Sequence, residues 1–178
     1  MFERIIGVFK LNPNTFEEIE HDPSATSQAA IIVAVVALLN AIGSGIASTF
    51  NSQGGSSFLL TFILILIWTF IGWAIWSGVT YLVGTNLFGG KADMGEMLRV
   101  IGFAQAPQVL GIIPCVGIIG AIWSLIAGFI AVRQGLDLDN TKAFLTVLIG
   151  FLVYIAGVCA ISTVLGGFGA LTGAIGQG

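Results

Sequence analysis

Few side chains in this sequence could do chemistry. There is one histidine, His21, set between Glu20 and Asp22, and there are two cysteines, Cys115 and Cys159. A metal site or a general acid–base centre needs several histidines, cysteines or carboxylates that converge. His21 lies in a polar N-terminal stretch and reads as a solvated surface side chain. The long apolar runs hold no His and no Asp, which removes intramembrane proteolysis and helix-borne haem or chlorophyll ligation from consideration. No metal and no cofactor are expected. Proton-coupled transport commonly leaves an ionisable residue inside a span, and none lies deep in one here. Cys115 and Cys159 would both approach the outer side, so a disulfide is conceivable, but two free thiols are the better expectation.

Neutral polarity remains. Asn40 lies near the centre of the first apolar run, and Gln105 and Gln108 flank Pro107. Together they form a candidate polar intramembrane cluster. It could line a path or substrate site at a kinked helix, or simply supply interhelical hydrogen bonds, which is the favoured expectation. A proline also frees a backbone carbonyl that a nearby Gln could satisfy.

The elements that must position these residues follow from composition. Of 178 residues, 56% are hydrophobic and only 8% charged, and the mean hydropathy is +1.01. Soluble domains carry about 25% charged residues. This excludes a soluble globular enzyme, a disordered chain and a nucleic-acid binder, and leaves an integral membrane protein with almost no soluble part. Six Lys/Arg stand against nine Asp/Glu, with no basic run to grip nucleic acid or anionic headgroups.

Residues 23–90, 100–132 and 143–178 carry no charge. A spanning helix needs about 20 apolar residues. The first run predicts helices over 25–49, with Ser24 as N-cap, and over 57–85, parted by the glycine-rich turn 51–57. The run 100–132 reads as a hairpin, 95–112 and 117–134, turning at 114–117, either crossing fully or re-entering. Asp139-Asn140-Thr141 starts a fifth helix over 142–165, and the glycine-rich tail 166–178 is a poor helix former.

The fold class is thus an all-α integral membrane protein of five transmembrane helices. Its expected segments are 1–24, cytoplasmic and interfacial, then the membrane domain 25–165 and the tail. With the N-terminus in the cytoplasm and the C-terminus outside the inner membrane, all six basic residues fall inside or at the inner boundary, as the positive-inside rule asks. Arg99 and Arg133 lie just inside helix ends, from which they could snorkel to the headgroups. The apolar start at Ala29 is too long for a signal-peptide core, so the first helix should stay in the membrane.

Phe2, Ile5, Ile6 and Phe9 recur at helical spacing and predict a short amphipathic helix anchored in the interface. A second starts at Asn12-Pro13, with Phe16 and Ile19 as its apolar side. Small residues at four-residue spacing, Ala74/Gly78, Ser124/Gly128 and Gly169/Gly173, allow close helix approach. The aromatics Phe62, Trp68, Phe70 and Trp76 read as lipid contact or core.

Between 81 and 134 the sequence becomes distinctive. It runs Tyr81-Leu-Val-Gly, Leu87-Phe-Gly-Gly-Lys-Ala, then Glu96-Met-Leu-Arg-Val-Ile-Gly-Phe-Ala-Gln-Ala-Pro107, and later Arg133-Gln-Gly-Leu136. With Glu3-Arg4 through Asp22-Pro23-Ser24, this resembles the Yip-domain family of Ypt/Rab-interacting membrane proteins, in its short prokaryotic form. The resemblance implies five membrane helices and a cytosolic N-terminus. It maps a Gly-Tyr-x-x-x-Pro-like element onto Gly102, Phe103 and Pro107, with Phe in place of Tyr. Eukaryotic members are linked to Rab GTPases and vesicle traffic, and have a longer cytosolic N-terminus with an acidic Asp-Leu-Tyr-Gly-Pro-type motif that this chain lacks.

The leading function is a non-enzymatic scaffold or accessory subunit that packs against membrane lipids and other membrane protein subunits. The alternatives are a channel or transporter for a small neutral solute or lipid, and a trafficking factor that recruits a GTPase through residues 1–24.

Overall fold

The computed structural model describes the backbone of residues 1–50, 58–113 and 116–175. Among them are helices and turns but no strand. Seven α-helices follow one another: α1 Phe2–Phe9, α2 Pro13–His21, α3 Ala25–Phe50, α4 Phe58–Phe88, α5 Met94–Ala104, α6 Gly117–Gly135 and α7 Asn140–Ile175, with a 3₁₀ helix Ala106–Ile112 after α5. Four of them, α3, α4, α6 and α7, are long and apolar enough to cross a membrane. α5 is too short at about 16 Å, using 1.5 Å per residue. The expected turns at 51–57 and 114–115 lie outside the described residues.

Local chemistry sets the boundaries. Asn12 accepts a hydrogen bond from the Asn14 N–H at 3.2 Å, and Pro13 opens α2 with its fixed φ. The turn into α3 is organised by Asp22 rather than Ser24: its carboxylate accepts from the Ser24 N–H at 2.9 Å. Asp139 caps α7, accepting from the N–H groups of Thr141 and Lys142 at 2.9 and 3.0 Å. Beyond 165 the helix continues to Ile175, contrary to the sequence expectation. Glycine is a poor helix former in water, but in an apolar medium unpaired backbone groups cost more than glycine's entropy.

α3, α5 and α6 form the centre, with α4 and α7 as an outer wall. The core gathers where α1, α2 and the spans meet. Val8, Phe16, Ile19, Met97, Val100, Phe103, Val132 and Leu136 are all buried there. The α1–α2 hairpin is therefore part of the fold, and Gly7 of α1 lies so close to the Thr15 side chain that no Cβ would fit. Its expected outward face is divided: Phe2 and Ile6 are exposed, whereas Ile5 and Phe9 pack against the core. The Trp123 indole N–H donates to the Phe9 carbonyl at 2.9 Å, fastening the end of α1 to α6.

Candidate functional site

The break between α5 and the 3₁₀ helix shapes the centre of the molecule. A capping box starts α5: Asp93 accepts from the Glu96 N–H at 2.7 Å and Glu96 from the Asp93 N–H at 2.6 Å. Pro107, which has no N–H, ends it. The Gln108 N–H turns to the Gln105 carbonyl at 2.9 Å. Ala104 thereby loses both of its helical donors, the one three residues on and the one four residues on. Ser124 of α6 replaces them, its hydroxyl donating to the Ala104 carbonyl at 2.6 Å. The Gln108 side-chain amide in turn donates to the Ser124 oxygen at 3.2 Å.

Close packing holds this hairpin. A Cβ on Gly102 would stand 2.7 Å from the Ala29 Cβ, and one on Gly120 would stand 2.7 Å from the Pro107 carbonyl oxygen. Phe103 and Pro107 are buried beside them. The three family-like positions, Gly102, Phe103 and Pro107, thus sit at the junction of α3, α5 and α6.

Beside the break lies a half-open cavity of about 430 Å³. α4 contributes Trp68, Trp73 and Trp76, α6 contributes Ser124, Leu125 and Gly128, and α7 contributes Phe151 and Tyr154. Gln105 and Gln108 are among its polar lining residues, with Thr69, Ser124 and Tyr154. The Trp73 indole N–H donates to the Leu98 carbonyl at 3.1 Å. Trp76 and Tyr154 meet edge to face, ring centroids 5.9 Å apart. Gly128 has open space where a Cβ would point, so the Ser124/Gly128 pair borders the cavity instead of gripping a helix. Gly78, by contrast, faces the Met94 methyl, 3.5 Å from where its Cβ would stand.

The polar residues expected to cluster are divided. Gln105 and Gln108 share the cavity, while Asn40 lies on the α3 side against Gly111 and does not line it. Cys159 is an exposed free thiol, and Cys115 lies outside the described residues. His21 is exposed, its Nδ1 2.8 Å from the Glu17 carbonyl, a contact that raises its pKa. Among the described residues no group of three His, Cys, Asp or Glu could hold a metal.

Charged side chains collect at one end. Arg99 does not snorkel: it is buried, and its Nε and Nη2 donate to the Glu20 carbonyl at 3.1 and 2.6 Å. This ties α5 to the α2–α3 junction. The neighbouring Glu20 carboxyl is pushed up to about 7 by desolvation, with the charges of Asp137, Glu96 and Glu17 adding to it and His21 opposing it. Arg4 pairs with Glu18 at 2.9 Å and Asp22 at 2.7 Å. Bonds from the Ser24 hydroxyl and from Arg4 hold Asp22 down at about 2. Arg133 donates to Asn140 at 3.0 Å, and Gln134 to Glu17 at 3.2 Å.

Sequence reasoning missed two functional residues here, Ser124 as the cap of the break and Arg99 as a buried tie. Pro107 was the available signal for the first: a proline inside an apolar helix demands an outside donor. The fold and this site define a multi-pass α-helical membrane protein, apolar on its flanks and built around a proline-broken hairpin. The chain belongs to the Yip1 domain family, whose model matches residues 6–167, nearly the whole of it. No curated protein and no solved structure matches the chain.

Proposed function

We propose that this protein is a non-enzymatic scaffold or accessory subunit of a larger membrane complex, crossing the inner membrane five times with its N-terminus in the cytoplasm and its C-terminus outside. The observation that carries this reading is the unequal burial of its spans. In α3 the apolar stretch is 39% buried within the chain; in α4 the figure is 11% and in α7 it is 17%. The wall they form presents Leu64, Ile67 and Ile71 from α4 and Leu148 and Leu152 from α7. The chain's own packing leaves this wall for lipid and for other membrane proteins.

One feature supports the topology. The bonds that join Arg99 to Glu20, Gln134 to Glu17 and the Lys91 N–H to the Leu136 carbonyl gather the basic segments at one end. Photo-crosslinkers placed at Leu64 and Ile67 in native membranes test the scaffold reading. A discrete crosslinked protein band is expected. Adducts to lipid alone at both positions would contradict it.

A further inference from the structure

We propose that the cavity between α4, α5, α6 and α7 is a binding site for a membrane lipid with an uncharged polar end, a diacylglycerol or a long-chain alcohol. This goes beyond the scaffold reading and holds whether or not a protein partner is bound. Size is the first argument. About 430 Å³ falls within the roughly 300–1,000 Å³ of small-molecule sites, which pair apolar walls with a few placed polar groups; it takes a lipid's polar end and the first part of a chain, while the rest lies outside the mouth.

The second argument is the route in. Trp68, Leu125 and Phe151 stand at the rim and are exposed, and all three belong to helices long and apolar enough to span. The mouth therefore opens to hydrocarbon, and the ligand that reaches it comes from the bilayer.

Charge and hydrogen bonding select the class of lipid. No residue lining the cavity is charged. A phosphate headgroup drawn into it would meet no countercharge, and an uncompensated charge in an apolar setting is costly. An uncharged hydroxyl or ester does find partners. Gln105 and Gln108 stand three residues apart at the 3₁₀ break, so their side chains leave from one face. Gln108 gives one amide N–H to Ser124 and keeps the other and its carbonyl oxygen. Gln105 is half-buried and makes no side-chain hydrogen bond among the described residues, so it offers both a donor and an acceptor. The tryptophans and Phe151 take the hydrocarbon chain.

The test uses the full chain in phosphatidylcholine vesicles. Diacylglycerol brominated on its acyl chains is titrated at low mole fraction while tryptophan fluorescence is read. Saturable quenching is expected, reversed by unlabelled diacylglycerol and not by phosphatidylglycerol. Gln105→Leu should weaken the apparent affinity about fivefold, the worth of one ordinary hydrogen bond. Gly128→Phe, which grows into open space, should abolish the saturable component with circular dichroism unchanged. Quenching that rises linearly, as it does with brominated phosphatidylcholine, would overturn the proposal. Equal competition by phosphatidylglycerol would overturn the choice of an uncharged lipid. Unchanged affinity in both variants would show that the lipid binds elsewhere.

Discussion

Replacing Ser124 with alanine tests the physical account of the broken helix. The Ala104 carbonyl has no helical donor left, because Pro107 lacks an N–H and the Gln108 N–H is taken by Gln105. The Ser124 hydroxyl at 2.6 Å is its replacement. Removing that hydroxyl strands a buried carbonyl and also leaves the Gln108 amide without its acceptor. An unsatisfied buried polar group costs about 1–3 kcal/mol. Typical interhelical hydrogen bonds in membranes contribute only about 0.6 kcal/mol, because both partners usually find substitutes. Here the carbonyl has none in the chain, so a loss of about 1–2 kcal/mol is expected. Equilibrium unfolding in mixed micelles reads it directly. Ser124→Thr, which keeps the hydroxyl, should recover most of the loss. A Ser124→Ala protein within about 0.3 kcal/mol of the parent, well below that expected cost, would refute the claim that this bond closes the break.

Three further outcomes follow from the packing and the charges. Gly102→Ala places a methyl 2.7 Å from the Ala29 Cβ, which is fixed to its backbone, so α3 and α5 must part; about 1–3 kcal/mol of destabilisation is expected in the same unfolding assay. Arg99→Met should lower stability by about 2 kcal/mol through loss of the charged donor to the Glu20 carbonyl, and Arg99→Lys should recover only part of it, since an ammonium lacks the planar fork. For Glu20, whose pKa rises from 4.5 to about 7 on folding, the protonated form is favoured in the native state. That contribution is complete below pH 4.5 and is lost as pH rises toward 7. Glu20→Gln should flatten stability across this window and raise it at neutral pH by at most about 3 kcal/mol, at 1.36 kcal/mol per pKa unit. An unchanged pH profile would contradict the desolvation argument.

Much of the helix pattern was legible because charges and caps punctuate neutral runs. Pro13 and Asp139 each mark a helix start that the structure uses. The hairpin's second arm was expected over 117–134 and lies at 117–135. Other features were not legible, for physical reasons. Glycine propensities measured in water misjudged the end of α7. Arg99 read as a snorkelling residue because it sits at the edge of a neutral run, yet its partner is a backbone carbonyl far away in sequence, which leaves no side-chain signature. For Ser124 the partner is again a backbone carbonyl, and Pro107 signals only that the break needs a donor, not which residue supplies it. Asn40, Gln105 and Gln108 looked alike as isolated polar residues in apolar runs. Only the crossing of α3 over the break shows that Asn40 faces Gly111 while the two glutamines face the cavity. The N-terminal segment looked like a surface anchor from its periodicity. Val8, Phe16 and Ile19, all fully buried, make it part of the core, so cutting away residues 1–24 would test folding rather than recruitment.

The scaffold reading meets its most direct test in the native membrane. The full-length protein is extracted in mild detergent, and everything that remains with it is sized and identified by mass spectrometry. A stoichiometric complex with another membrane protein, lost when bulky charged residues replace Leu64 and Ile67, is the expected result. A lone chain or a simple homo-oligomer, unaffected by those substitutions, would contradict the account.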